Sequence, residues 1–223
     1  MWWYRAVHAN VLCLLSRHLP GREAVLLDAG CGTGGMLRRL AQARPSWMLF
    51  GLDAAPDALS RAMRSPSARL IAGDVNHIPF ADASFDAIVS VDVLCHRAVA
   101  PDQTLAEFRR CLAPGGILLL NLPAYDWMKS AHDERVHNVR RFSRGDAQAL
   151  IESAGFHVVR ATYWNTLLFP LMLLRRLFSK GGEAESDVRE YPAVLDRTFS
   201  ALTGLERRLV EAGINLPFGG SGL

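Results

Sequence analysis

The chain has 223 residues, of which 50% are hydrophobic and 21% charged, with a formal net charge of +3. That is enough for one domain with a proper core, and the mild charge calls for no nucleic-acid partner; arginine pairs at 38–39, 109–110, 140–141, 175–176 and 207–208 read as solvated helix faces. Cys13, Cys31, Cys95 and Cys111 form no C-x-x-C pair, which argues against zinc and a disulfide framework and suits a reducing cytoplasm. No stretch approaches the ~20 apolar residues that span a bilayer, and the short apolar run Val11–Leu15 reads as helix, not signal peptide.

Trp3, Val7, Val11, Leu14 and Leu15 share one helical face, so an amphipathic helix opens the chain and Pro20-Gly21 ends it. Its aromatic start, Trp2-Trp3-Tyr4, either packs the helix onto the body or forms a lid over a ligand. Val25–Leu27 then runs as a strand into Asp28 and glycines at 30, 32, 34 and 35, with Met36, Leu37 and Leu40 at helical spacing behind them. A strand, a glycine turn and a helix in this order make a nucleotide-binding junction, because glycines admit close backbone approach and the helix N-terminus favours negative charge.

Trp47–Leu52 forms a second strand ending in Asp53, about 20 residues beyond the glycines, where a carboxylate accepts both ribose hydroxyls. Its rival role is to cap the helix that Pro56 and Asp57 begin. Arg69–Ala72 is a third strand, ending at Gly73-Asp74-Val75; Phe85–Val91 is a fourth. Pro101 and Asp102 open a helix to about Leu112, and Ala113-Pro114-Gly115-Gly116 turns into a fifth strand, Ile117–Leu122. This alternation predicts an α/β fold: a doubly wound, mostly parallel, Rossmann-like sheet of six to seven strands with helices on both faces.

A long connection over 123–142 has the length of a functional lid or binding loop. Ser143 and Asp146 form a capping box for a helix that closes at Gly155, and His157–Trp164 alternates like a sixth strand. Leu167–Phe178 is strongly apolar and interrupted by Pro170; Lys180–Pro192 reads as a polar loop. Val194, Leu195, Phe199, Leu202, Leu205 and Leu209 mark a last amphipathic helix, so helical lid or accessory elements complete a single domain. Within it, 1–21 is the N-terminal helix, 22–122 the cofactor core and 123–223 the substrate-side half.

The glycines alone are ambiguous. Gly30-x-Gly32-x-x-Gly35 fits the dinucleotide fingerprint, while Asp28-x-Gly30-x-Gly32-x-Gly34 fits the signature of S-adenosylmethionine (SAM) enzymes. Asp28 decides for the second, since a carboxylate beside the loop suits a ligand with a positive end, such as the amino group of methionine, and does not help a pyrophosphate. Asp74 is placed to accept from an adenine amino group. With LLDAGCGTG, GLDAAP, GDVNHIPFADASFDAIVS and LAPGGILLLN in order over roughly 22–122, the chain resembles the class I, Rossmann-like SAM-dependent methyltransferases of small molecules.

The resemblance implies that Asp28 and the loop Gly30, Cys31, Gly32 and Gly34 hold the methionine portion. It implies Asp53 and Ala54 at the ribose, Asp74 and Val75 at the adenine, and Asp92 beside the cofactor, with S-adenosylhomocysteine (SAH) as product. It also implies a seventh, antiparallel strand between the fifth and sixth, for which only the segment after Leu216 is available. Transfer is an in-line displacement that needs positioning and, for some acceptors, a base; the candidates are His96, Tyr125, His132, Asp133 and His137. Asp133 and His137, four apart, could share a helix face. His132 and His137, five apart, do not, and no H-E-x-x-H pattern occurs, so no metal is expected.

No N-P-P-Y-like motif follows the fourth strand; Asn121–Tyr125 follows the fifth and is discounted, so the expected partner is a small-molecule acceptor and not nucleic acid. The apolar stretch 164–178 reads as core or pocket cover, with peripheral membrane or dimer contact as the alternative, and points to a hydrophobic acceptor methylated at oxygen first, carbon or nitrogen next. The competing readings are a SAM-fold protein without methyl transfer (cyclase or partner subunit), an NAD-type oxidoreductase, and an RNA or protein methyltransferase.

Overall fold

The computed structural model describes residues 1–19, 23–62, 68–178 and 191–223. At its centre is β1 (Val25–Ala29), flanked in parallel by β2 (Met48–Asp53) and β4 (Phe85–Val91). Outward from these lie β3 (Arg69–Ala72) on one side and β5 (Leu112–Pro123) on the other, both parallel to their neighbours. The sheet order is β3-β2-β1-β4-β5-β7-β6, with β7 (Ser221–Gly222) antiparallel between β5 and β6 (Tyr163–Trp164). The chain leaves β1 towards β2 and returns at β4, so a crevice opens at the carboxyl ends of β1 and β4, where ligands bind in open α/β sheets.

Alternate side chains of the central strands feed two cores, since successive residues of a strand point to opposite faces. Leu26, Val89 and Leu119 join the face covered by α1 (Trp2–His18) and α2 (Gly35–Ala43). Leu27, Ile88 and Leu120 join the face covered by α4 (Pro101–Cys111), with α6 (Arg144–Ser153) packed at its margin. α3 (Pro56–Ala62) connects β2 to β3. A second contact layer joins α1 to α8 (Ala193–Glu211): the Trp2 amide donates to Asp196 Oδ1 at 2.7 Å, and Arg5 pairs with the same carboxylate.

The boundaries follow local chemistry. Pro101 begins α4 where its missing N–H costs nothing, and the Ser143–Asp146 capping box opens α6. Pro170, expected to interrupt the apolar segment, instead lies in the first turn of α7 (Phe169–Phe178). β5 begins earlier than Ile117, running through Gly115 (φ 78°) with a register shift opposite Phe85–Ala87. The sixth strand is only two residues long, not His157–Trp164, because β7 offers only two residues to pair with.

The long connection is pinned down. It contains one 3₁₀ turn (Asp126–Met128) and α5 (Ala131–Arg135), and Arg140 Nη1 donates to the carbonyls of Leu94, His96 and Val99. The expected stop at Pro20-Gly21 and most of the polar stretch 180–192 lie outside the described residues. Among the described residues no helix is long and apolar enough to cross a membrane.

Candidate active site

The glycine loop turns tightly against its neighbours. The amides of Gly30 and Cys31 both donate to Leu52 O, at 2.8 and 3.0 Å, folding the end of β1 over β2. Gly30 has φ 82°, and a Cβ there would lie 2.3 Å from Val93 Cγ2, so a side chain at this position is strained and must displace Val93. Gly32 donates to Asp53 Oδ2 at 2.7 Å, and Asp53 Oδ1 accepts from Ala55 N at 2.9 Å. Asp53 thus latches the loop to the residue before α3, and it lies at the crevice, while Ala54 is exposed beside it.

Asp28 is 2% exposed, and its Oδ2 has no hydrogen-bond partner. Burial, with the neighbouring Asp53 charge adding, pushes its pKa up to about 7. A buried carboxylate without a cation is poorly stable, and the unpartnered oxygen has the chemistry to accept a cationic group such as an ammonium. Cys31 is buried in the same loop. At the end of β3, exposed Asp74 accepts from the amide and Nδ2 of Asn76 at 2.9 and 2.8 Å, next to buried Val75. Sequence reasoning missed Asn76, whose Oδ1 accepts from Ala100 N and Thr104 Oγ1 and so ties the turn after β3 to α4; only its place two residues after Asp74 hinted at it.

Asp92 follows β4 with φ 54°. Its Oδ1 accepts from Asn121 Nδ2 at 2.8 Å, and the Oδ1 of Asn121 accepts from Trp164 Nε1 at 2.8 Å. Burial lifts the Asp92 pKa to about 7 against the downward pull of the Asn121 bond and Arg141, and Asp133 adds to the rise. The charge of Asp92 also helps burial to raise the phenol pKa of Tyr4, placing the N-terminal helix beside this carboxylate. On the same helix, His8 Cε1 lies 3.1 Å from where a Gly35 Cβ would stand, so α1 covers the start of α2. Trp2 packs edge-on against Phe199 and Trp3 lies 5.9 Å from Trp164, while Tyr4 is 49% exposed.

The five base candidates do not converge. His96 and His137 meet edge-to-face at 5.9 Å, and Ala98 N donates to His96 Nδ1 at 3.2 Å. Burial, His137, Arg97 and Arg140 lower the His96 pKa, so it is neutral at pH 7, and with Nδ1 accepting, its proton sits on Nε2. The outward nitrogen is a donor, which suits a ligand acceptor better than a proton to be removed.

Asp133 does not share a face with His137, because α5 ends at Arg135 and His137 lies beyond it with φ 58°. Asp133 instead takes a bidentate bond from Arg141, at 3.1 and 2.9 Å, and another from Ser130 N at 2.8 Å. Burial alone would raise its pKa, yet these partners hold it below the usual range. His132 is half-buried on α5. Tyr125 stacks on Tyr163 and Trp127, and burial plus the Tyr163 hydrogen bond push its phenol up to about 12. Among the described residues no cluster of three or more His, Cys, Asp or Glu could hold a metal.

A doubly wound sheet with an inserted antiparallel last strand, a glycine loop, and acidic residues at the ends of β1 and β2 and after β3 is the class I, Rossmann-like fold of SAM-dependent methyltransferases. Residues 27–120 match the family model described as "Methyltransferase domain". The chain is 32% identical over 163 residues to malonyl-[acyl-carrier protein] O-methyltransferase of Dechloromonas aromatica, covering 69% of this chain and 60% of that protein. In structure it resembles a Haloferax volcanii methyltransferase in complex with the Trm112 activator: TM-score 0.64, 23% identity, 99% of this chain and 86% of that one. It is also similar to the [4+2]-cyclase SpnF, with TM-score 0.61 and 21% identity over 96% of this chain and 79% of that one. The chain spans 32% to 62% of the length of the curated relatives it matches.

Proposed function

We propose that the protein transfers a methyl group from SAM to a small acceptor with an apolar body, at oxygen in the first place and at carbon or nitrogen next. The observation that carries this reading is the orphaned carboxylate oxygen of buried Asp28 beside the glycine loop. Bound there, SAM supplies a methyl already activated on a sulfonium. Asp28 would hold its ammonium, Asp53 its ribose hydroxyls, and Asp74 with the amide of Val75 its adenine edge. The protein's work is then to orient the acceptor in line and exclude water.

Support for an apolar acceptor comes from the side chains around the carboxyl ends of β5 and β6. Tyr125, Trp127, Phe169 and Phe218 touch one another there, with Trp127 65% exposed and Leu167 and Leu171 open beside them. The same surface, within or next to 164–178, would serve a membrane or a second copy if the acceptor itself resides there; vesicle co-sedimentation and analytical ultracentrifugation test the two. We take the compartment to be a reducing cytoplasm, a reading supported by four free thiols.

Calorimetric titration of SAM, SAH and NAD against the protein and Asp53→Ala tests the cofactor half. Micromolar binding of the first two, none of NAD, and a loss of about a hundredfold in the variant is expected; binding of NAD instead overturns it. The likeness to a cyclase keeps a second reading open, a SAM-binding protein without transfer. Detection of methylated product from methyl-labelled SAM separates the two.

A further inference from the structure

We propose that Asp92 is the general base of the acceptor site, its outer oxygen removing the acceptor's proton while Asn121 and Trp164 hold the inner one. The inference rests on the methyl-transfer reading above and deepens it by assigning the acceptor class: a hydroxyl compound whose proton must leave as the methyl arrives.

Three observations carry it. First, Asp92 ends β4, directly across the switch point from β1, and the next residue, Val93, packs on Gly30 of the glycine loop. Asp92 therefore stands one residue from the cofactor loop, on the side facing β5 and β6. Second, its carboxylate is oriented through a relay. Asn121 is fully buried, donates Nδ2 to Asp92 Oδ1, and has its own Oδ1 fixed by the indole of Trp164, also buried. Asp92 N donates to Asn121 O as well, at 2.9 Å, so side chain and backbone are both tied to β5. A surface aspartate needs no such support; a base held in one orientation does. Oδ2 takes part in none of these bonds.

Third, three of the five candidates named from the sequence are otherwise engaged. Asp133 is saturated by Arg141 and Ser130, Tyr125 is far too weakly acidic to be ionised at neutral pH, and His96 presents a donor nitrogen. Asp28 faces the cofactor ammonium. Asp92, with its pKa near neutrality, is poised to take up and release a proton under ordinary conditions. The groups that face it electrostatically are Tyr4 from α1, Cys95 beyond β4, and Asp133 and Arg141 from the long connection.

In the step, Asp92 Oδ2 takes the hydroxyl proton as an oxygen lone pair forms the C–O bond to the methyl. The C–S bond breaks with its electron pair going to sulfur. The products are a methyl ether, SAH and a protonated Asp92, which returns its proton to water. Asn121 and Trp164 are positioning residues: removing the Asn121 bond takes away a force that lowers the Asp92 pKa.

The test uses the full chain. Asp-carboxyl ¹³C NMR, assigned by difference with Asp92→Asn, is titrated from pH 4 to 9 with SAH absent and present. Methyl-labelled SAM is then offered with phenols, catechols, carboxylic acids and primary amines as defined acceptors. The expected result is an Asp92 resonance titrating near pH 7, and transfer to a phenol or catechol hydroxyl rising with pH through the same value. Asp92→Asn should lose at least a hundredfold in kcat while its SAH affinity stays within threefold. Trp164→Phe, a milder change than any at buried Asn121, should move both the NMR midpoint and the rate profile to higher pH.

Methylation of amines or carboxylic acids alone, transfer to none of these compounds, or a pH profile unmoved in Trp164→Phe overturns the assignment. Failure of the wild-type protein to bind SAH overturns instead the methyl-transfer reading on which it rests.

Discussion

Replacing Asp28 with Asn should make the ligand-free protein more stable while removing its cofactor site. Asp28 rises from 3.8 to about 7, first because it is buried and then because Asp53 lies nearby. A carboxyl whose folded pKa exceeds its unfolded value keeps its proton in the folded state. Its favourable contribution is complete below pH 3.8 and is lost as the pH rises through 7. At about 1.4 kcal/mol per pH unit, ionised Asp28 costs the ligand-free protein about 4 kcal/mol at pH 8. An asparagine amide brings its own burial cost of about 1–2 kcal/mol, leaving a net gain of about 2–3 kcal/mol. For a chain of this size that corresponds to a Tm increase of about 5–10 °C.

Scanning calorimetry of both proteins at pH 4 and pH 8 reads this directly: the advantage should appear at pH 8 and be absent at pH 4. SAH should stabilise the wild type and not the variant, because the buried ion pair it completes is worth about 3–5 kcal/mol, or about a thousandfold in Kd. A variant that melts below the wild type at pH 8, or that binds SAH within threefold of it, refutes the reasoning.

Gly30→Ala places a methyl group against Val93 at a positive φ; a loss of about 2–4 kcal/mol by urea denaturation is expected, together with loss of SAH binding. Arg141→Met leaves Asp133 buried and unpaired, since the two side chains are only 8% and 3% exposed, and should cost about 3–5 kcal/mol. Because the folded pKa of Asp133 is depressed, the pair's contribution is present above pH 4 and fades below it, so wild type and variant should converge in stability on acidification. Glu206, 2% exposed, accepts from the amides of Asn165 at 2.7 Å and of Leu167; Glu206→Gln turns one acceptor towards them into a donor and should lower Tm by about 2–8 °C in calorimetry.

The β1–β4 part of the fold and its glycine loop were legible because their signals are local. A strand, its terminal carboxylate and the following glycines lie within about ten residues of each other, and the same grammar recurs at Asp53 and Asp74. The acceptor half was not. Asn121 looked like a strand residue and Trp164 like an apolar strand end; their hydrogen bond, across 43 residues, exists only because β7 brings β5 and β6 together. The helical pairing of Asp133 with His137 failed because α5 stops first, and the partner that matters, Arg141, is reached through a turn no periodicity marks. Glu206, which no sequence signal singled out, has its carboxylate buried against the loop after β6.

The two-residue strand β7 also sets an order of assembly. Strands β1 to β5 find their partners by successive crossovers as the chain lengthens, whereas Leu122 must wait for Gly222, 100 residues later, and Tyr163 for the same residue. Closing such distant contacts is slow, and the clasp of Arg5 on Asp196 is more distant still. On this topology the pairings of β1 to β5 should form before the contacts that β7 makes with β5 and β6.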